Sequence, residues 1–363
     1  MIYLYYNERQ NSCQYRKWPV VLAVTIDIPT QFYIIQVDLL AGDETEECMM
    51  EYFVALDSGG TKTDAVLFDE TGHILLRHVG KGCNAMDIGR ETAKARMLEI
   101  VNKMCAAAPK RVKSVYGAVA GIEYYGDYLY EYIRPQIDAE LFKIEGDVGV
   151  MISSTLGRVE GAGMICGTGS ALAIRRFNAP WVHVGGRGYL IDAKGSGFAL
   201  AREGIYRAFR ALDGRGEPTV LVELLEKKMG KPLSEAVCDL YSGGREYFAS
   251  FAHLVFEGRR MGDRVCSEII EEGSLKLAEL TWAAAQHFEG DFPVVMGGGI
   301  LFAFPEYVEM VKAKAAPRAK VILATASPVY GGAVEAMEAA GLKCDDAFRE
   351  KFLREYEEWK KAH

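Results

Sequence analysis

The chain has 363 residues, half of them hydrophobic, and a formal net charge of −8. That length supports two domains with cores of their own. The negative balance argues against nucleic acid as a main partner, and no apolar run approaches the length of a membrane span. Eight cysteines are scattered without a Cys-x-x-Cys pair, which suggests reduced thiols in a cytoplasmic protein rather than a zinc site or a disulfide framework.

Residues 1–49 carry aromatics and the mixed run Gln31–Val37, without the charged, apolar, small-residue order of a signal peptide. They are expected to be an upstream translation or a poorly ordered extension, an extra edge strand or two being the alternative. The run from Met50 reads as the start of a domain whose first strand lies near its N-terminus.

The apolar run Tyr52–Leu56 enters Asp57-Ser58-Gly59-Gly60-Thr61-Lys62-Thr63, and Ala65–Phe68 leaves it, so the pattern reads strand, turn, strand. Gly59 and Gly60 lack a Cβ, so they can take φ > 0 and let the backbone close on an anion. Thr61 and Thr63 offer hydroxyl donors and Lys62 a positive charge. Asp57 suits Mg²⁺, held directly or through water. An ordinary tight hairpin is the reading that the turn alone leaves open. It is no Walker A loop, because no Gly-x-x-x-x-Gly-Lys-Ser/Thr occurs and a strand follows.

Further along, the spacing predicts a helix over 87–107, a strand Ser114–Ala120 ending at Gly121, a helix over 125–137, a strand Leu141–Ile144 and a helix opening at Asp147–Thr155. Alternating strands and helices argue an α/β fold. The strand Gly161–Cys166 then runs into Gly167-Thr168-Gly169-Ser170 and out along Ala171–Ile174. This repeats the opening motif and points to a duplicated architecture with two phosphate hairpins facing one cleft. A helical stretch, Gly195–Phe288, is broken at Gly214–Pro218 and Gly230–Pro232. Phe292–Met296 enters Gly297-Gly298-Gly299, and Lys320–Leu323 leads past Pro328 to Gly331-Gly332, read as a turn opening a helix. The tail from Asp345 to Lys361 has Phe348, Phe352, Leu353 and Tyr356 at helical spacing.

Four glycine-containing turns in this order, each at a strand end, make Glu51 to about Ala340 resemble the N-acetylglucosamine kinase group of the BadF/BadG/BcrA/BcrD ATPase family. The resemblance implies two ribonuclease H-like, actin-like ATPase domains around an ATP cleft. They would be residues 50–158 and residues 159–344, the second with a helical insertion, followed by a C-terminal helix, 345–363. It implies ATP and Mg²⁺ as cofactors, a small sugar as substrate, and allows a homodimer. The ATP phosphates would lie on Asp57, Gly59, Gly60, Thr61, Lys62, Thr63, Gly167, Thr168 and Gly169. Gly297, Gly298, Gly299, Gly331 and Gly332 would flank the adenosine. Asp147, otherwise readable as a helix N-terminal acid, matches the family's catalytic aspartate and would act as general base.

For the sugar, the resemblance points to Asn84, Glu123, Ser170, Ala171, Gly186, Arg187, Gly188, Tyr189 and Asp192. Asn84 has a second reading, capping the helix near Asp87. Three departures bear on the acceptor. Glu123 stands where the family usually has aspartate, and Arg187 where N-acetylglucosamine kinases have tryptophan. The family pattern Gly-Asp-Glu-Gly-Ser becomes Asp192-Ala193-Lys194-Gly195-Ser196. The sugar-contacting aspartate thus falls on Ala193, with Asp192 displaced by one. Losing a built-in hydroxyl partner affects which sugar is taken more than whether phosphate is transferred. Lys194 reads as a solvated lysine at a helix start. The expected activity is ATP-dependent phosphorylation of an amino sugar. The alternatives are an ATPase acting on a partner protein and a catalytically altered sugar-sensing protein. Against the first, Cys83, Cys105 and Cys166 are not placed to hold an iron–sulfur cluster.

Overall fold

In the computed structural model, residues 50–362 are described; the expectation for residues 1–49 lies outside them. β1 (Tyr52–Ser58), β2 (Lys62–Asp69), β3 (Ile74–Lys81), β4 (Val112–Val119) and β5 (Ala139–Glu145) form one sheet in the order β3-β2-β1-β4-β5. β6 (Gly161–Cys166), β7 (Ser170–Arg175), β8 (Val182–Val184), β9 (Phe292–Gly297) and β10 (Ala319–Leu323) form the other, in the order β10-β9-β6-β7-β8. Read from the opposite edge, the second order repeats the first. In each sheet the first three strands pair antiparallel and the last two join parallel. The duplication expected from the two hairpins is therefore a duplication of whole sheets, and the fold is the two-domain actin-like α/β fold.

β1 and β2 are buried along nearly their whole lengths, because helices cover both faces of this sheet. Phe53, Ala55, Val66 and Phe68 pack with Val329, Ala333 and Met337 of the helix Pro328–Ala339. Phe348, Phe352 and Tyr356 of the terminal helix Asp346–Ala362 join the same core, with Leu353 half-buried against it. Phe68 meets the rings of Phe348 and Phe352 edge-on at 5.9 and 5.3 Å. The chain thus returns, after its second sheet, to finish the core of its first. Tyr356 adds a polar anchor, its hydroxyl donating to Asp64 Oδ2 at 2.8 Å while Arg77 grips the same carboxylate at 2.9 and 2.6 Å.

The second core lies between Met164, Leu172 and Ile174 on one side and the helices Gly197–Leu212, Ala252–Arg260 and Arg264–Ala285 on the other. A buried ion pair ties the two halves together. Arg175 at the end of β7 reaches Glu335 of the helix Pro328–Ala339, and its Nη1 donates to Ser153 Oγ at 3.0 Å. Trp181 covers the guanidinium at 4.8 Å. Among the described residues no helix is long and apolar enough to cross a membrane, and Cys83, Cys166 and Cys266 are buried free thiols.

Several expected elements differ in extent. The helix over 87–107 is split by Gly89 into Ala85–Ile88 and Arg90–Ala106. The helix over 125–137 shrinks to Tyr128–Ile133 with a 3₁₀ turn, Arg134–Gln136. β3 and β8, the third strand of each sheet, complete the two hairpins into meanders.

Candidate functional site

The two hairpins meet across a cleft of about 670 Å³. Its wall gathers Asp57, Gly59, Gly60, Thr61 and Lys62 from the first hairpin and Gly167, Thr168, Gly169, Ser170 and Ala171 from the second. Asn84, Glu123, Asp147, Gly186, Arg187, Gly188, Tyr189, Gly298 and Gly299 complete the set of expected residues that share it.

The first hairpin differs from the expectation at Thr63, which is buried within it. Neither Gly59 nor Gly60 has a positive φ. Gly59 N–H donates to Lys62 O at 3.0 Å within the turn. A Cβ at Gly60 would meet the Arg245 guanidinium and lie 2.8 Å from Asp87 Oδ2, both ends of side chains that can shift. Thr63 does not reach the cleft. It is fully buried, shares a 2.7 Å hydrogen bond with Ser58 Oγ and donates to Lys81 O at 3.0 Å. Its hydroxyl holds the hairpin together rather than meeting a phosphate.

The second hairpin is fixed from behind. Gly197 N–H and Phe198 N–H, at the start of the helix Gly197–Leu212, donate to Gly167 O and Thr168 O at 2.8 and 3.1 Å. The helix start is capped by Ser196 Oγ, which accepts from Ala199 N–H at 3.3 Å. Beside it Gly298 takes φ 109°, a conformation that only glycine adopts readily. A Cβ there would lie 2.5 Å from Cys166 O.

Three other expected glycines do packing work. Gly297 ends β9, where a Cβ would strike Met151. Gly331 and Gly332 do not form a turn; they lie inside the helix Pro328–Ala339. A Cβ on Gly331 would collide with Val150 O, and one on Gly332 would lie 3.4 Å from Ala55 Cβ. They let that helix approach the helix Val150–Leu156 and β1 closely, and neither lines the cleft.

Asp147 follows β5 and precedes the helix Val150–Leu156, whose N-cap is Gly149, so Asp147 is not the capping acid. Burial pushes its carboxyl up to about 8, with Asp57 and Glu123 adding to the rise and the N–H groups of Asp147 and Val148 opposing it. Burial, then Asp64, pushes Asp57 up to about 7 against the pull of Lys62. A like charge close by disfavours ionisation, so the two carboxyls resist carrying charge together and titrate as a pair.

The acceptor end is built from loops. Asn84 fulfils both of its readings: it lines the cleft, and its Oδ1 accepts from Met86 N–H at 2.9 Å to cap the helix Ala85–Ile88. Glu123 Oε1 lies 3.9 Å from His183 Nδ1. Tyr124, which the sequence did not single out, donates to Gly186 O at 2.9 Å and carries Arg187 over its ring at 5.6 Å. Ser170 Oγ donates to Lys194 O at 2.9 Å, while the Lys194 side chain is exposed, as the solvated reading expects. Asp192 is off the cleft wall, its N–H held by Gly188 O at 2.9 Å; Ala193 lines the wall instead.

Comparison with known proteins joins this geometry to a lineage. The model of the BadF/BadG/BcrA/BcrD ATPase family matches residues 54–339. The chain belongs to that family. It is 25% identical over 315 residues to an N-acetyl-D-glucosamine kinase of Dictyostelium discoideum, covering 80% of this chain and 98% of the relative. It is 23% identical to an N-acetylmuramic acid/N-acetylglucosamine kinase of Clostridium acetobutylicum, over 63% of this chain and 77% of the relative. A solved structure from Chromobacterium violaceum, described as a candidate N-acetylglucosamine kinase, superposes with a TM-score of 0.61 at 19% identity, covering 78% of this chain and 98% of that one.

Proposed function

We propose that this family member transfers the γ-phosphoryl group of ATP to a hydroxyl of an amino sugar, with Asp147 as general base. The observation that carries the reading is Asp147 itself, a carboxyl on the wall of a cleft flanked by two glycine-rich hairpins, with its pKa raised to about 8. A base poised near neutral pH accepts a hydroxyl proton most effectively. Phosphoryl transfer otherwise needs positioning and positive charge around the phosphates. The names of the Dictyostelium and Clostridium relatives support an amino-sugar acceptor.

The residues present fit a magnesium ion. Asp57 is a partly buried carboxylate beside the phosphate turn, and a cation would relieve its disfavoured charge. Among the described residues no cluster of three or more acidic, histidine or cysteine side chains stands ready for a metal. That suits Mg²⁺, which commonly takes one or two carboxylates, substrate phosphates and water. Bound there, the ion would neutralise phosphate charge. Asp147 would orient the acceptor hydroxyl and take its proton, and the hairpins would hold the phosphates.

The deciding experiment is ADP release measured with ATP and a panel of amino sugars, neutral hexoses and no sugar. Release that depends on an amino sugar is expected. Release equal with and without any sugar would point to an ATPase acting elsewhere, and no release at all to a sensing protein.

A further inference from the structure

The contact with the first hairpin that neither the sequence nor the family resemblance anticipates comes from the helix Val237–Ala249. Gly244 interrupts it with φ 68° and ψ −169°, a backbone state that a residue with a Cβ adopts only under strain. The break delivers the next two side chains to the hairpin. Arg245 Nη2 pairs with Asp87 Oδ2 at 3.1 Å, and its guanidinium lies against Gly60. Glu246 Oε1 accepts from Thr61 Oγ1 at 2.7 Å. Arg245 also stands over the Tyr189 ring at 5.7 Å, and both line the cleft.

The charges explain why an arginine belongs there. Among the described residues, the basic side chains on the cleft wall are Lys62, Arg187 and Arg245, facing Asp57, Asp87, Glu123 and Asp147. A nucleotide triphosphate brings more negative charge to this wall. Arg187 is engaged with Tyr124 in the loop at the acceptor end. Arg245 is the one whose guanidinium touches the hairpin tip. Its pairing with Asp87 is partly exposed, and such pairs add little stability. A planar fork of donors matches a phosphoryl group in a way that a lysine does not.

We infer that Arg245 is a catalytic residue, an arginine supplied in cis by the helical insertion, which leaves Asp87 to contact the γ-phosphoryl group of the bound nucleotide. In the same movement Glu246 gives up the Thr61 hydroxyl, freeing it for phosphate. The inference rests on the kinase reading for the identity of the acceptor, but not for the nucleotide contact.

The test compares binding of ADP alone with binding of ADP plus beryllium fluoride, a γ-phosphoryl mimic, by calorimetry with Mg²⁺ present. It uses wild type, Arg245→Ala and Arg245→Lys, with melting curves confirming that both variants fold. Wild type is expected to bind the mimic complex more tightly than ADP. In Arg245→Ala that gain should fall by about tenfold to a hundredfold, as when a charged donor to a transferring group is removed. ADP affinity should stay within about threefold, and lysine should restore only part of the gain. A merely structural arginine would weaken both ligands together, and that result overturns the inference. So does an equal gain in all three proteins, or no gain in wild type. Sugar-dependent ADP release by wild type judges the kinase reading separately. A lost gain alongside no sugar turnover would leave Arg245 supported and the amino-sugar acceptor rejected.

Discussion

The two halves of the cleft share one strand topology and divide the chemistry between them. The first half contributes the carboxyls, Asp57, Asp87, Glu123 and Asp147. The second contributes the Gly167–Gly169 backbone, the Thr168 hydroxyl and the guanidinium groups of Arg187 and Arg245. The first hairpin also brings the Gly59–Gly60 backbone, the Thr61 hydroxyl and Lys62 to the wall. A repeated backbone path therefore does not imply a repeated role. The main chain sets where a hairpin stands, while the side chains around it differ, carboxyls in the first half and guanidinium groups in the second. Burial, with Asp57 and Glu123 adding to it, pushes the Asp147 carboxyl up.

The division can be broken in graded steps. Asp147→Asn removes the proposed base without altering size. Transfer to the sugar is expected to fall by about 10²- to 10⁴-fold, with ADP binding unchanged by calorimetry. Unchanged turnover would remove Asp147 from the role of base.

Arg175→Ala cuts the ion pair joining the halves and leaves Glu335 buried without its partner. Losing one member of such a pair costs about 3–5 kcal/mol, so urea unfolding should shift strongly. A loss near zero would mean that the ion pair does not help hold the two halves together.

The carboxyl pair gives a pH signature. Asp57 and Asp147 hold protons more tightly in the folded chain than in the unfolded one, their folded values standing at about 7 and about 8. Stability should therefore fall as pH rises between the unfolded and folded values, and level off above them. In the absence of nucleotide and metal, the melting temperature is expected to rise by a few degrees from pH 9 to pH 6. Asp57→Asn should flatten that slope. Mg²⁺ binding, which needs the ionised form, should strengthen over the same interval as pH rises.

Ala193→Asp places an acid on the second half's wall, where the family pattern has one. A preference among amino sugars that changes by about tenfold or more would mark this wall as the selector. No change would shift attention to Arg187 and Tyr124. The smallest effect belongs to Thr63→Val, which removes the bonds to Ser58 and Lys81. Stability should drop by about 1 kcal/mol, and ATP affinity should hold.

How much of this was legible follows the physics of each signal. Eight of the ten strands among the described residues stand out in the sequence as apolar runs, and with them the duplication. β3 and β8 do not. β3 mixes Arg77, His78 and Lys81 into a strand that is only partly buried, and β8 has three residues. Thr63 looked like its neighbours because β2 is covered on both faces, which erases the alternation that would have shown its side chain turned inward. Gly331 and Gly332 read as a turn because glycine weakens isolated helices; the packed partners explain them, Val150 at the first and Ala55 at the second. The pairing of Arg245 with Asp87 spans 158 positions. The nearest local hint is Gly243-Gly244 interrupting a helical run.

The return of the chain to its first sheet has a consequence for synthesis. Phe53, Val66 and Phe68 are sealed by residues 329–356. While a ribosome is still making the second sheet, the first lobe has its strands but not the helices that cover this face. Apolar surface left open during chain growth invites misassembly. The lobe that carries Asp57 and Asp147 thus completes its core only when residues 329–356 emerge, so a chain cut off before residue 329 would leave that lobe's apolar face uncovered.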